Sequence, residues 1–167
     1  GGALRFYVGN GNSFDEVFLD IDNDVAQSKG IVWADFDNNG HQDLFVANRL
    51  VPNKLWMADG QGGYEDVSDT CGISQDNRRS YGVSVSDYDR DGWLDIFVSN
   101  YSAGVDVPGN ELYRNNGDGT FTGVLDSMGM AEMETPQSFQ GSWSDFNGDG
   151  WLDLHVIRDR TILPDLY

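Results

Sequence analysis

The sequence predicts an all-β fold on three observations: short apolar runs separated by glycine-rich turns, no long segment with the apolar period of a helix, and an internal repeat. Glycine supplies 21 of 167 residues, which suits strands joined by tight turns. A hydrophobic content of 39% with 13% aromatics is enough for one packed domain and argues against a disordered acidic tail.

An acidic motif carries the repeat. "DFDNNGHQDLFV" starts at Asp35, "DYDRDGWLDIFV" at Asp87 and "DFNGDGWLDLHV" at Asp145, so the starts lie 52 and 58 residues apart. Positions 1, 3, 5 and 9 are Asp or Asn in each copy. Gly40 and Gly92 close the first two turns, and Gly148 and Gly150 bracket the third. Positions 10 to 12 are apolar except for His155.

In chain order, "LRFYVGNGNSFDEV" reads as two strands and a turn. "DIDND", Asp20 to Asp24, lacks the glycine, the ninth-position acid and the following strand, and reads as a solvated link. Each acidic motif is then preceded by a short strand ("GIVWA", "GVSVS", "GSWS") and followed by an apolar one ("LFVAN", "IFVSN", "LHVIR"). In two copies a third and a fourth strand follow around a turn, in "NKLWMADGQGGYEDV" and "NELYRNNGDGTFTGV". Trp56 and Tyr113 are equivalent there, as are Tyr64 and Phe121, each pair 57 apart; "NGDG" at Asn116 to Gly119 is a turn.

Four antiparallel strands in roughly 50–60 residues form one blade of a β-propeller, and the repetition favours this over a Greek-key sandwich with acidic turns. The N-terminal stretch matches a blade's second half, with Phe6 aligned to Trp56 and Phe14 to Tyr64, and Tyr167 in "PDLY" aligns with the same Trp56. The expected division is therefore a C-terminal half-blade (1–27), two blades (28–79 and 80–137) and an N-terminal half-blade (138–167), about three blades in all.

The formal charge of −18 makes nucleic acid or an anionic membrane an unfavourable partner. Ten of the acids fall inside the three motifs, three, four and three in turn, where bound cations would cancel much of the excess. Cys71 is the single cysteine, so no disulfide forms within the chain; it reads as a small, half-buried hydrophobe. No stretch is apolar enough to span a membrane, no signal-peptide pattern occurs, and Gly1 in place of methionine suggests a processed or partial product.

"DYDRDGWLDIFVSN" followed by "NELYRNNGDGTFTGV" resembles the FG-GAP/VCBS repeat of integrin α-subunit propellers and cartilage acidic protein, a repeat also widespread in secreted bacterial proteins. The resemblance covers nearly the whole chain. It implies one calcium ion per loop between the first two strands of a blade, about three per chain, and an extracellular or cell-surface location. Calcium takes six to eight oxygens, which alternate residues of a tight loop can turn onto one point. By position, the first site uses Asp35, Asp37, Asn39 and Asp43 with the His41 carbonyl. The second uses Asp87, Asp89, Asp91 and Asp95 with the Trp93 carbonyl, and the third Asp145, Asn147, Asp149 and Asp153 with the Trp151 carbonyl. An EF-hand is excluded because position 12 is Val46, Val98 or Val156 instead of Glu, and magnesium tolerates an all-protein cage poorly. Loops one and three each carry one Asn for Asp and are expected to bind more weakly than the second.

Catalysis finds no support: His41 and His155 fall in equivalent regions of different repeats without a nucleophile motif, and no GxSxG, HExxH or phosphate loop occurs. Trp33, Trp93, Trp143 and Trp151 either stack on a sugar or pack between blades, and packing is the better reading. Asn100-Tyr101-Ser102 is a glycosylation acceptor pattern in a secretory host. Three blades do not ring up alone, and split blades leave strand edges that seek pairing. Leu4–Val8 and Asp165–Tyr167 are thus expected to be strands paired outside their own half-blades, with neighbouring copies in a ring or filament or with the rest of a longer chain. The function expected is a non-catalytic, calcium-binding extracellular structural or adhesion module; the alternative is part of a larger secreted propeller with a lectin-like or enzymatic site, and a glycan or protein as ligand.

Overall fold

The computed structural model describes residues 4–21, 27–73, 77–101, 109–130 and 137–158. Twelve strands are present among them. The first hairpin is β1 (Phe6–Gly9) with β2 (Phe14–Val17), a two-stranded sheet. A four-stranded sheet follows in chain order: β3 (Gln27–Ala34), β4 (Asp43–Arg49), β5 (Lys54–Ala58) and β6 (Tyr64–Asp66). The next is built the same way from β7 (Ser80–Ser86), β8 (Asp95–Asn100), β9 (Glu111–Asn115) and β10 (Phe121–Gly123). A two-stranded sheet of β11 (Ser138–Ser144) and β12 (Asp153–Arg158) closes the order. All pairings are antiparallel. The one helical turn among the described residues, Asp126–Met128, ends on Gly129 in the left-handed conformation. The described sheets do not close into a ring.

Period-2 alternation builds the core. Along β4, Phe45 and Ala47 face the second four-stranded sheet, where they pack with Leu55, Ile96, Val98 and Tyr113. Leu44 and Val46 point the other way, with Trp56, onto Phe6, Trp33 and Tyr64. On β8, Ile96 and Val98 face the first core while Phe97 turns to Leu112, Trp143 and Leu154. Strands buried on both faces read as continuous apolar runs, which is why "DLFVAN" and "DIFVSN" show no polar alternation. Each fully buried Leu, Ile or Phe contributes about 1.5–3 kcal/mol. Cys71 belongs to the first core and is buried instead of half-buried, because "TCGI" tucks under Phe121, whose N–H donates to the Cys71 carbonyl at 2.6 Å.

The last three sheets meet through their first strands, β3 on β7 and β7 on β11. Glycine permits the approach: a Cβ on Gly30 would lie 2.8 Å from the Tyr81 carbonyl oxygen, and one on Gly82 would lie 2.2 Å from that of Phe139. A bulge precedes each of these glycines, so β3 and β7 begin upstream of "GIVWA" and "GVSVS". Single bridges, Arg49 to Arg79 and Tyr101 to Gln137, tie the end of each second strand to the start of the next sheet.

Trp56 pairs with Leu44, and Tyr113 with Ile96, at the same register point. The first hairpin departs from that pattern. Its turn is one residue shorter, so Phe14 faces Gly9, and Phe6 pairs with Val17 where Trp56 pairs with Asp66. Asn10 holds that shorter turn, its Oδ1 accepting from the N–H groups of Asn12 and Ser13 at 3.1 and 2.9 Å. The strand expected over Leu4–Val8 is Phe6–Gly9, and Asp165–Tyr167 lies outside the described residues.

Candidate metal centres

Each acidic loop links the first two strands of its sheet, β3 to β4, β7 to β8 and β11 to β12. Position 1 organises the turn. Asp35 accepts from the N–H groups of Asn39 (3.0 Å) and Gly40 (2.8 Å). Asp87 accepts from Asp91 (3.0 Å) and Gly92 (2.9 Å), and Asp145 from Asp149 (3.1 Å) and Gly150 (2.8 Å). These bonds require a left-handed residue at position 6, where Gly40, Gly92 and Gly150 have φ of 87°, 91° and 91°. Gly150 is thus the third loop's counterpart of Gly40, and Gly148 corresponds to Asn38 and Arg90, which also take positive φ.

Position 9 clips the loop to the sheet. Asp43 accepts from the N–H of Phe36 (2.7 Å) in its own loop and from that of Ala58 (2.8 Å) on the third strand. Asp95 does the same with Tyr88 (3.1 Å) and Asn115 (2.8 Å). Both carboxylates are buried, and burial pushes their pKa values up, that of Asp95 to about 6, with the neighbouring loop carboxylates adding to the rise.

The loop geometry gathers Asp35, Asp37 and Asp43 in one cluster and Asp87, Asp89 and Asp95 in another, with one carboxylate oxygen from each residue within 4.8 Å of the others. Like charges that close repel by on the order of a few kcal/mol per pair near a protein surface. Among the described residues no lysine or arginine pairs with the first cluster. Its convergent donors are all oxygens, a set that fits a hard cation such as calcium and not zinc, which favours nitrogen and sulfur.

At position 5, Asp91 lies outside the second cluster of acids. Asn39 donates to Asp37 Oδ2 (3.0 Å) and accepts from the His41 N–H (2.7 Å). Asp91 accepts from the Trp93 N–H (3.0 Å) and binds a group with no sequence signal: Arg114, on β9, whose guanidinium reaches Asp89 Oδ2 at 2.5 Å and Asp91 Oδ2 at 2.7 Å. The corresponding residue of the first sheet is Met57. The third loop has the same backbone bonds, with Phe146 N–H on Asp153 (3.0 Å), but Asn147 replaces a carboxylate and no third cluster of three acids forms among the described residues.

The side chains at position 7 pack instead of pointing at the acids. The His41 ring lies on Gly60 and the Trp93 indole on Gly117, where a Cβ would come within 2.6 and 2.7 Å. Trp151 stacks under the Arg90 guanidinium, 4.6 Å from its ring centroid. His155, two residues past Asp153 on β12, is therefore not the counterpart of His41; the two stand at positions 11 and 7 of their motifs. The tryptophans form no shared surface: Trp33 packs edge-on to Phe6 and Tyr64, and Trp143 packs against Tyr88 and Phe97. Asn100 does not present a glycosylation acceptor, because its amide is buried, donating to the Gly109 carbonyl at 2.5 Å and accepting from Ser80 Oγ at 2.8 Å.

A family model described as "FG-GAP-like repeat" matches residues 35–98 and 100–156. Curated relatives are named cartilage acidic protein 1. That of Mus musculus is 26% identical over 168 residues, covering 95% of this chain, and that of Homo sapiens 27% over 170 residues, covering 93%. The Xenopus tropicalis protein is 29% identical over 80 residues, 48% of this chain. These matches span only 12 to 25% of the relatives' own length.

Proposed function

The chain belongs to the FG-GAP-like repeat family, and from that premise we propose that it is a non-catalytic, calcium-binding structural or adhesion module that works outside the cell. One observation carries the reading: two separate loops each turn three carboxylates onto one point, and the deepest, Asp43 and Asp95, are buried. Such an arrangement is self-repelling without a cation. Asp35, Asp37 and Asp43 hold the first ion, with Asn39 and the His41 carbonyl beside them. Asp87, Asp89 and Asp95 hold the second, with Asp91 and the Trp93 carbonyl beside them. Asp145, Asn147, Asp149 and Asp153, with the Trp151 carbonyl, hold a third, more weakly. Open sites of this kind suit the millimolar calcium found outside cells.

In the same reading the four-stranded sheets are propeller-type blades over 28–79 and 80–137, flanked by half-blades. The open edges of β1 and β12 accept a further strand, from a continuing chain or a second copy.

Calorimetric titration of calcium into chelator-dialysed protein tests the reading, with melting followed in parallel. At 100 times Kd each filled site adds about 2.7 kcal/mol of stability, so excess chelator should lower Tm clearly. Absence of binding heat together with an unchanged Tm would overturn it.

A further inference from the structure

The two acid clusters are joined twice. The inner link is buried. Phe36 lies between Asp35 and Asp37, and its N–H donates to Asp43 Oδ2 at 2.7 Å. The carbonyl of the same residue accepts from the Asn115 side-chain amide at 2.8 Å, across 79 positions of sequence. Asn115 in turn donates its backbone N–H to Asp95 Oδ1 at 2.8 Å. An unbroken path of two residues therefore runs from the deepest carboxylate of the first loop to the deepest of the second.

The outer link is at the surface. Asn38, position 4 of the first loop, donates its amide to the Gly92 carbonyl at 3.1 Å, and the N–H of Gly92 holds Asp87 at 2.9 Å. Position 4 also reaches the next loop between the second and third, by a different contact: Arg90 covers the Trp151 ring. Gly148, at position 4 of the third loop, has no side chain to continue the series.

We propose that the first and second loops bind calcium cooperatively, coupled through Asn115 and Asn38; this rests on the calcium-binding reading above. Ordering the first loop fixes Phe36, whose carbonyl holds the Asn115 side chain and so aims the Asn115 N–H at Asp95. It also fixes Asn38, whose amide holds the Gly92 carbonyl and so steadies the residue whose N–H binds Asp87. The second loop then loses less conformational freedom when its own carboxylates converge. The coupling is reciprocal, so filling either loop favours the other.

The test uses replacements that the protein itself places at equivalent positions: Asn115→Ala (Ala58 in the first sheet) and Asn38→Gly (Gly148 in the third loop). Calcium is titrated into the whole chain while the backbone amide signals of Gly40 and Gly92 report each loop separately by NMR. Disabling the first loop with Asp37→Ala should move the Gly92 midpoint to about fivefold higher calcium. In the Asn38→Gly/Asn115→Ala background the same change should move it less than about twofold. An unmoved Gly92 midpoint in the first experiment, or an undiminished shift in the second, overturns the coupling while leaving calcium binding intact. If neither amide responds to calcium, the binding reading falls and the coupling with it. Should Asn115→Ala fail to fold, Asn38→Gly alone must still reduce the fivefold shift, and an unreduced shift overturns the outer link.

Discussion

Asp89 and Asp91 both bind the Arg114 guanidinium, whereas Asp37 bonds to the Asn39 amide, and the first sheet has Met57, packed on the core, at the position of Arg114. That difference alters the ranking of the loops. Four carboxylates favour the second loop for a cation, but Arg114 already offsets part of their charge. Arg114→Met, which places the first sheet's residue on the second, should slightly lower the Tm of chelated protein and raise the calcium affinity of the second loop roughly fivefold. Melting in chelator and the Gly92 amide titration read the two effects. A fall in affinity would mean that Arg114 chiefly holds the carboxylates in place. Positions 1, 3 and 9 were legible in the sequence because the bonds that shape the loop span only two to seven residues. Arg114 was not, since it reaches Asp89 across 25 positions, through a strand register that no local pattern encodes. The Asn115 to Phe36 bond was hidden for the same reason.

Among the elements, the paired strands were legible from "DLFVAN" and "DIFVSN", whose double-sided burial leaves an apolar run with Asp at its head. The bulges were not, because one extra residue in β3 or β7 leaves no compositional trace. Nor was the shorter first turn, where Asn10 and Ser13 do in four residues what the later turns do in five. The glycine of each first strand makes a sharp prediction. Gly82→Ala would set a methyl group 2.2 Å from the Phe139 carbonyl oxygen and should cost about 1–3 kcal/mol. Gly123→Ala, on β10 with its nearest neighbour at 3.6 Å, serves as the control and should cost under about 0.5 kcal/mol. Thermal melts of the two variants decide whether the close approach of sheets or mere loss of glycine matters, and equal losses would refute the packing argument.

For the whole molecule, the carboxylate excess and the open edges act together. A net charge of −18 keeps copies apart in the absence of divalent cations, while β1 and β12 each present an unpaired strand edge among the described residues. Phe146 in the third loop and Ile157 on β12 are exposed. The chain in isolation should therefore self-associate in calcium, giving a light-scattering mass above 18.5 kDa that rises with protein concentration and falls in chelator. A monodisperse particle of monomer mass in calcium would refute this.

The last three sheets also meet through the same strand, the same glycine and the same single bridge, so nothing in these junctions sets how many sheets follow one another. A gene segment of 52 to 58 codons can be duplicated or lost in frame, and the sheets on either side still find a familiar neighbour. An insertion of one codon within β4 or β8 has no such freedom, because it would turn every later side chain of the strand to the opposite face. Lineages carrying this architecture should consequently differ in length by whole units far more readily than by single residues within a strand.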